Sequence, residues 1–251
     1  MCTLIVLDRV VPGVPLLVAS NRDEYFRRPA APPARVAPRD GRPAFVAPQD
    51  LEAGGTWMGL NESGLFVGLT NRATLRREDG RRSRGLLVLD ALGRNSAEEA
   101  AAEMHEGLEG AYNPFHLLCA DGCTAHLTVL RDEGATTRAL EPGAHVVCNR
   151  DAGDRGSSKV GDLQRRVDAL DLSRPLEDLM DGLARVLSSH AQPGDPLANA
   201  CVHTPDYGTR SSTLIALGPE SRHYWHSDGP PCEAKYRDLG TLLDGVESRA
   251  D

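Results

Sequence analysis

The chain opens Met1-Cys2-Thr3-Leu4-Ile5-Val6-Leu7-Asp8, turns at Pro12-Gly13, and runs through Leu16-Leu17-Val18-Ala19 into Ser20-Asn21-Arg22-Asp23-Glu24. This stretch constrains everything after it. Two short apolar runs flanking a turn signal predict a β-hairpin. Antiparallel neighbours lie about 5 Å apart. Cys2, at the free start of the first strand, is therefore expected beside the charged tetrad at the end of the second.

A cysteine in that place has two readings. In one it is a small hydrophobe on a buried strand, as most unpaired cysteines are. In the other it is a nucleophile. Initiator methionine is usually trimmed before a small side chain, and trimming would leave one residue carrying both a thiol and a free α-amine. The amine titrates near about 7.7–8.0 and the thiol near about 8.5, so the amine can accept the thiol proton at neutral pH. That is a nucleophile with its own general base.

At 251 residues the chain is long enough to bury a substantial core, and with only 4% aromatic residues that core must be mostly Leu, Val and Ala. A net charge of −8 argues against non-specific nucleic-acid binding. Of the 28 basic residues only Lys159 and Lys235 are lysines. The six cysteines are scattered, and their even count does not imply disulfides in a chain of this size. No signal-peptide pattern and no run approaching about 18 apolar residues is present, so the expected setting is cytoplasmic, without integral membrane association.

Residues 26–50 carry Pro29, Pro32, Pro33, Pro38, Pro43 and Pro48 and read as a surface loop with one short strand near Phe45-Val46. Strands at 54–61 and 64–71, joined by Asn61-Glu62-Ser63-Gly64, form a second hairpin. An arginine-rich loop from Arg72 to Arg84 leads to a helix from about Gly85. Ser96-Ala97-Glu98-Glu99 is a capping box that starts a helix through about Gly107. Strands follow at 115–120, 124–130, 136–140 and 144–148. Val160, Leu163, Val167 and Leu170 share one helical face, as do Leu176, Leu179, Met180, Leu183, Val186 and Leu187. Strands return at 212–217 and 223–226, and a short helix closes the chain near 235–244. With no repeat and no linker, 1–251 reads as one α+β domain of largely antiparallel sheets flanked by helices.

Met1-Cys2, Asn21-Arg22-Asp23-Glu24, Gly54-Gly55-Thr56-Trp57 and Tyr207-Gly208-Thr209-Arg210-Ser211-Ser212-Thr213 together resemble the NRDE family, also called the transport and Golgi organisation protein 2 family. More distantly, Cys2, the Asn21-x-Asp23 spacing and Asn61-Glu62-Ser63-Gly64-Leu65 are similar to the choloylglycine hydrolase and penicillin V acylase group. The resemblance implies an N-terminal nucleophile (Ntn) hydrolase-like four-layer αββα sandwich. It further implies Cys2 as nucleophile, Asp23 as the carboxylate that holds its α-amine, and Asn71 and Asn149 as oxyanion donors. Asn21, Arg22, Trp57 and Arg210 of these motifs are candidates for substrate binding; Arg84, at the end of the arginine-rich loop beside the next helix, is a further candidate. The acylases carry an arginine where this chain has Ser20, and place one after, not before, the serines matching Ser211-Ser212.

The arginines beyond Asn71 read either as a solvated loop or as a basic rim able to hold carboxylates or phosphates, because guanidinium binds both bidentately. Metal binding reads poorly: Cys119-x3-Cys123 lacks a second pair, Cys201-Val202-His203 alternates strand faces, and His223 and His226 stand three apart in a strand. No metal ligand is assigned. Two functions remain. One is a hydrolase of a small acyl amide or thioester substrate, with no cofactor required. The other is a non-catalytic carrier using the same pocket for haem or an acyl lipid such as acyl-CoA.

Overall fold

A computed structural model describes residues 2–73, 78–103, 108, 110–149, 158–192 and 194–249. The opening hairpin is longer than its apolar runs: β1 (Cys2–Val11) and β2 (Val14–Tyr25) pair from Cys2↔Arg22 to Val11↔Val14. The chain then forms β3 (Ala30–Val36), β4 (Phe45–Asp50), β5 (Met58–Asn61) and β6 (Phe66–Asn71). Helices α1 (Arg84–Ala91) and α2 (Ala97–Glu103) precede β7 (Phe115–Ala120), β8 (Ala125–Arg131), β9 (Gly134–Ala139) and β10 (Gly143–Val147). Helices α3 (Ser158–Asp168) and α4 (Leu176–Leu187) lead to β11 (Tyr207–Leu217), β12 (Arg222–Ser227) and β13 (Arg237–Asp238).

Two antiparallel sheets result. One has the order β10-β1-β2-β11-β12-β13, the other β3-β4-β5-β6-β7-β8-β9. Alternation along each strand fixes the layers. On β1, Leu4 and Val6 face the second sheet and pack with Met58, Leu60, Phe66 and Leu118. Ile5 and Leu7 face the other way, against Leu163 of α3 and Met180, Leu183 and Leu187 of α4. On the far side of the second sheet, Val67, Leu69 and Leu117 pack against Leu87 and Val88 of α1 and Ala97 and Ala100 of α2. The strands are apolar on both faces because both faces are covered. The product is a four-layer αββα sandwich. Each such buried Leu or Ile contributes about 1.5–3 kcal/mol.

The Pro-rich stretch is not all loop. Ala30–Val36 is a strand at the edge of the second sheet, where Pro32 and Pro33 need no ladder partner on their outer side, and the register slips between Ala31 and Ala34. The expected closing helix is absent: residues 235–244 give the two-residue β13 and a 3₁₀ turn at Gly240–Leu243. At α2, Ser96 Oγ accepts from the Glu99 N–H at 3.1 Å, but the Glu99 carboxylate accepts from Asn95 N–H rather than from Ser96. The expected end of that helix, 104–107, lies outside the described residues. No helix among the described residues is long and apolar enough to cross a membrane.

Candidate active site

Register decides what surrounds Cys2. Because Cys2 pairs with Arg22, both side chains lie on the inter-sheet face, two strand positions before the core residue Leu4. Both are buried. The Arg22 guanidinium lies over the Trp57 ring, 4.4 Å from its centroid, and makes no ion pair among the described residues. Burial pushes the Cys2 thiol above its ordinary range, and the Asp23 carboxylate adds to this. The Asp23 backbone N–H, which reaches the sulfur, and the Arg22 charge act in the opposite sense. Burial likewise lowers Arg22 from its ordinary value.

Asp23 is one residue further, so its side chain lies on the helix-facing side of β2. It is buried there, accepting from Thr209 Oγ1 at 2.7 Å and facing Lys159 Nζ of α3 at 3.4 Å. Tyr207 Oη donates to the Asp23 carbonyl at 2.8 Å. Strand β11 thus grips both the carboxylate and the backbone of the residue next to the site. Lys159, Thr209 and Tyr207 had no assigned role in the sequence. Lys159 does carry a signal: it stands four residues before Leu163, on the apolar stripe of α3, in a chain with only one other lysine.

A cleft of about 810 Å³ opens at this end of the sandwich, lined by Cys2, Arg22, Trp57, Arg84, Asn71 and Asn149 among others. Asn71 ends β6 and Asn149 follows β10, in different sheets. Two bonds between neighbours draw these ends together: Thr70 Oγ1 donates to the Cys148 carbonyl at 2.9 Å, and Ala73 N–H to the Asn149 carbonyl at 2.9 Å. Arg84 Nη1 donates to the Pro114 carbonyl at 2.9 Å. Of the three residues expected to act with Cys2, Asn71 and Asn149 line the cleft and Asp23 does not.

Two candidates lie elsewhere. Asn21 is fully buried on the helix side, where its amide donates to the carbonyls of Leu187 and Ala200, both at 2.9 Å. It ties β2 to the end of α4. Arg210 is the extra residue of a bulge between Thr209 and Ser211, which turns it outward. Its Nη1 donates to the Phe26 carbonyl at 2.6 Å, and it is not among the cleft residues. The Gly-Gly-Thr-Trp motif has a packing reason: a Cβ on Gly55 would meet the Gly85 carbonyl carbon at 2.3 Å, so this glycine lets α1 approach the segment before β5 that carries Trp57.

The reading of Cys201 and His203 as diverging is corrected by the fold. They precede β11 outside any regular strand, His203 making only an isolated bridge to Gly208, and Cys201 Sγ lies 3.5 Å from His203 Nε2.

Residues 1–226 match the family described as Transport and Golgi organisation 2. Curated relatives include the Transport and Golgi organization protein 2 homologs of Bos taurus and Homo sapiens. The first is 28% identical over 232 residues and the second over 230, each alignment spanning 80% of this chain and 82% of the relative. Among solved structures, the Caenorhabditis elegans ortholog of N-acylethanolamine-hydrolyzing acid amidase superposes with a TM-score of 0.60 at 14% identity, covering 85% of this chain and 92% of that one. Penicillin V acylase from Agrobacterium tumefaciens gives 0.59 at 14% identity, covering 99% and 89%. A mutant of the conjugated bile acid hydrolase from Clostridium perfringens gives 0.60 at 13%, covering 97% and 94%. These likenesses establish an Ntn-hydrolase-like fold.

Proposed function

This chain belongs to the transport and Golgi organisation 2 family, and from that premise we propose that it is a cysteine-nucleophile hydrolase cleaving a small acyl amide or thioester through an acyl-enzyme at Cys2. The observation that carries the reading is the place of Cys2: it starts a central strand, on the wall of the cleft, with Arg22 opposite in register and Asn71 and Asn149 on the same cleft. The solved neighbours are named as hydrolases or acylases, which supports the reaction class.

Removal of Met1 would make Cys2 the terminal residue with a free α-amine. A buried, protonated thiol needs its proton taken during attack, and the amine of the same residue is the base at hand. As the sulfur bonds to the carbonyl carbon, the carbonyl electron pair moves onto oxygen, where the Asn71 and Asn149 amides would donate. Such a preorganised donor is worth about 3 kcal/mol. Collapse breaks the bond to the amine or thiol leaving group, which takes the proton from the Cys2 ammonium. Water then adds to the thioester, and its collapse returns the thiol and releases a carboxylic acid. Arg22, buried with no ion pair among the described residues, favours substrates carrying a carboxylate or phosphate.

The same arginine favours a second reading. Arg22, Arg27 and Arg72 on the cleft would suit the propionates of haem or the phosphates of acyl-CoA held as cargo. Assays of acyl amides and thioesters, with Cys2→Ala as control, test the hydrolase. Turnover lost in Cys2→Ala is the expected result. No turnover of any substrate, with saturable haem or acyl-CoA binding unchanged in Cys2→Ala, replaces it with the carrier.

A further inference from the structure

A cluster apart from the cleft carries an inference of its own. We propose that His190, Cys201, His203 and Cys232 form a tetrahedral zinc site. None of the four lines the Cys2 cleft, and the proposal does not depend on the hydrolase reading.

The ligand atoms of all four residues lie within 4.8 Å of one another. Cys201 Sγ is 3.5 Å from both Cys232 Sγ and His203 Nε2, and His203 Nε2 is 3.2 Å from Cys232 Sγ. The His190 and His203 ring centroids are 5.1 Å apart. With Zn–S about 2.3 Å and Zn–N about 2.0–2.1 Å, a tetrahedral ion sets its ligands about 3.3–3.8 Å apart. The cluster is already near that size. Two thiolates and two imidazoles favour zinc over magnesium or calcium, which take oxygen ligands. On the other edge of its ring, His203 Nδ1 lies 3.9 Å from the Glu233 carboxylate, the outer partner that commonly orients a metal-bound imidazole.

The four residues come from three segments, which is why sequence spacing hides them. His190 follows α4, and the neighbouring Ser189 carbonyl accepts from the Cys201 N–H at 3.3 Å. His203 is held by a backbone bridge to Gly208, where a Cβ would meet the Val202 carbonyl at 2.6 Å. Cys232 sits in the turn after β12, closed by Glu233 and Ala234 N–H groups donating to Pro230. Cys201 is fully buried, and zinc takes cysteine as the thiolate, so binding would release protons. The ion would staple α4, the turn bearing Thr204 and Tyr207, and the loop after β12. Thr204 and Tyr207 line the cleft, so the metal would set the position of one of its walls.

The test uses tag-free, full-length protein kept reduced, loaded with zinc and desalted. One zinc per chain is expected, falling to background in Cys232→Ser and in His190→Ala, both exposed positions, while Cys2→Ala retains it. Cobalt should give the intense visible bands of a tetrahedral ion with a thiolate charge-transfer band, lost in Cys232→Ser. Chelation should lower the Tm of the parent and leave that of Cys232→Ser unmoved, and circular dichroism reports that the variants fold. Zinc content insensitive to Cys232→Ser overturns the proposal. So does an octahedral cobalt spectrum. So does a Cys201–Cys232 disulfide with no retained zinc, which would mark the pair as a redox couple.

Discussion

Lys159 and Asp23 place opposite charges 3.4 Å apart with side chains only 5% and 0% exposed. Breaking such a buried pair from one side typically costs about 3–5 kcal/mol, because the other charge stays buried. Lys159→Met is therefore expected to lower unfolding free energy by about 3 kcal/mol in denaturant titration, and Asp23→Asn with Lys159→Met by less than the sum of the two. Additive losses would mean that the groups do not act as a pair. Core thiols give a second residue-scale prediction. Burial pushes Cys119 up to about 12 and Cys148 up to about 11. Unfolded thiols lose their protons above about pH 8.5 while the folded ones keep them. Their contribution is thus complete below that pH and lost as pH rises through the folded values, at up to about 1.4 kcal/mol per thiol per pH unit. Cys119→Ala with Cys148→Ala should start less stable and decline less steeply between about pH 9 and pH 11. Equal slopes would contradict the assignment. At this scale the sequence spoke unevenly. The hairpin placed Cys2 beside the Asn21–Glu24 tetrad, but that Arg22 and not Asp23 shares its face follows only from the register, and Asn21 ties carbonyls of Leu187 and Ala200 that only the tertiary fold brings near.

At the scale of elements, periodicity located most strands and helices because burial on both faces leaves long apolar runs. It failed where other forces decide. Pro32 and Pro33 argued for loop, yet an edge strand tolerates them, and β11 begins at Tyr207 because its polar start pairs with the charged end of β2. The approach of α1 to Thr56 and Trp57 depends on Gly55. Gly55→Ala must displace α1, since a Cβ would sit 2.3 Å from the Gly85 carbonyl carbon and 2.7 Å from the Leu86 nitrogen. A loss of about 2 kcal/mol is expected from this overpacking, read in denaturant unfolding, together with altered fluorescence of Trp57. Unchanged stability would show that the contact relaxes without strain.

At the scale of the molecule, the sandwich holds two chemically different places. One is the cleft where both sheets end, with Cys2, Arg22, Asn71 and Asn149. The other is the sulfur and imidazole cluster that joins three segments behind one wall of it. The layered fold followed from the sequence because alternation and helical stripes specify layers; the cluster did not, because no spacing rule links 190, 201, 203 and 232. The central claim is that Cys2 is the nucleophile, and its most direct test is intact mass spectrometry after brief exposure to a slow acyl thioester at neutral pH, quenched in acid and mapped by peptide. The account predicts a chain lacking Met1 that carries one acyl group on Cys2, and no acylation of Cys2→Ala. Acyl groups spread over the exposed Cys232 and the half-buried Cys123, undiminished in Cys2→Ala, or a chain that keeps Met1 and leaves Cys2 unmodified, would contradict it.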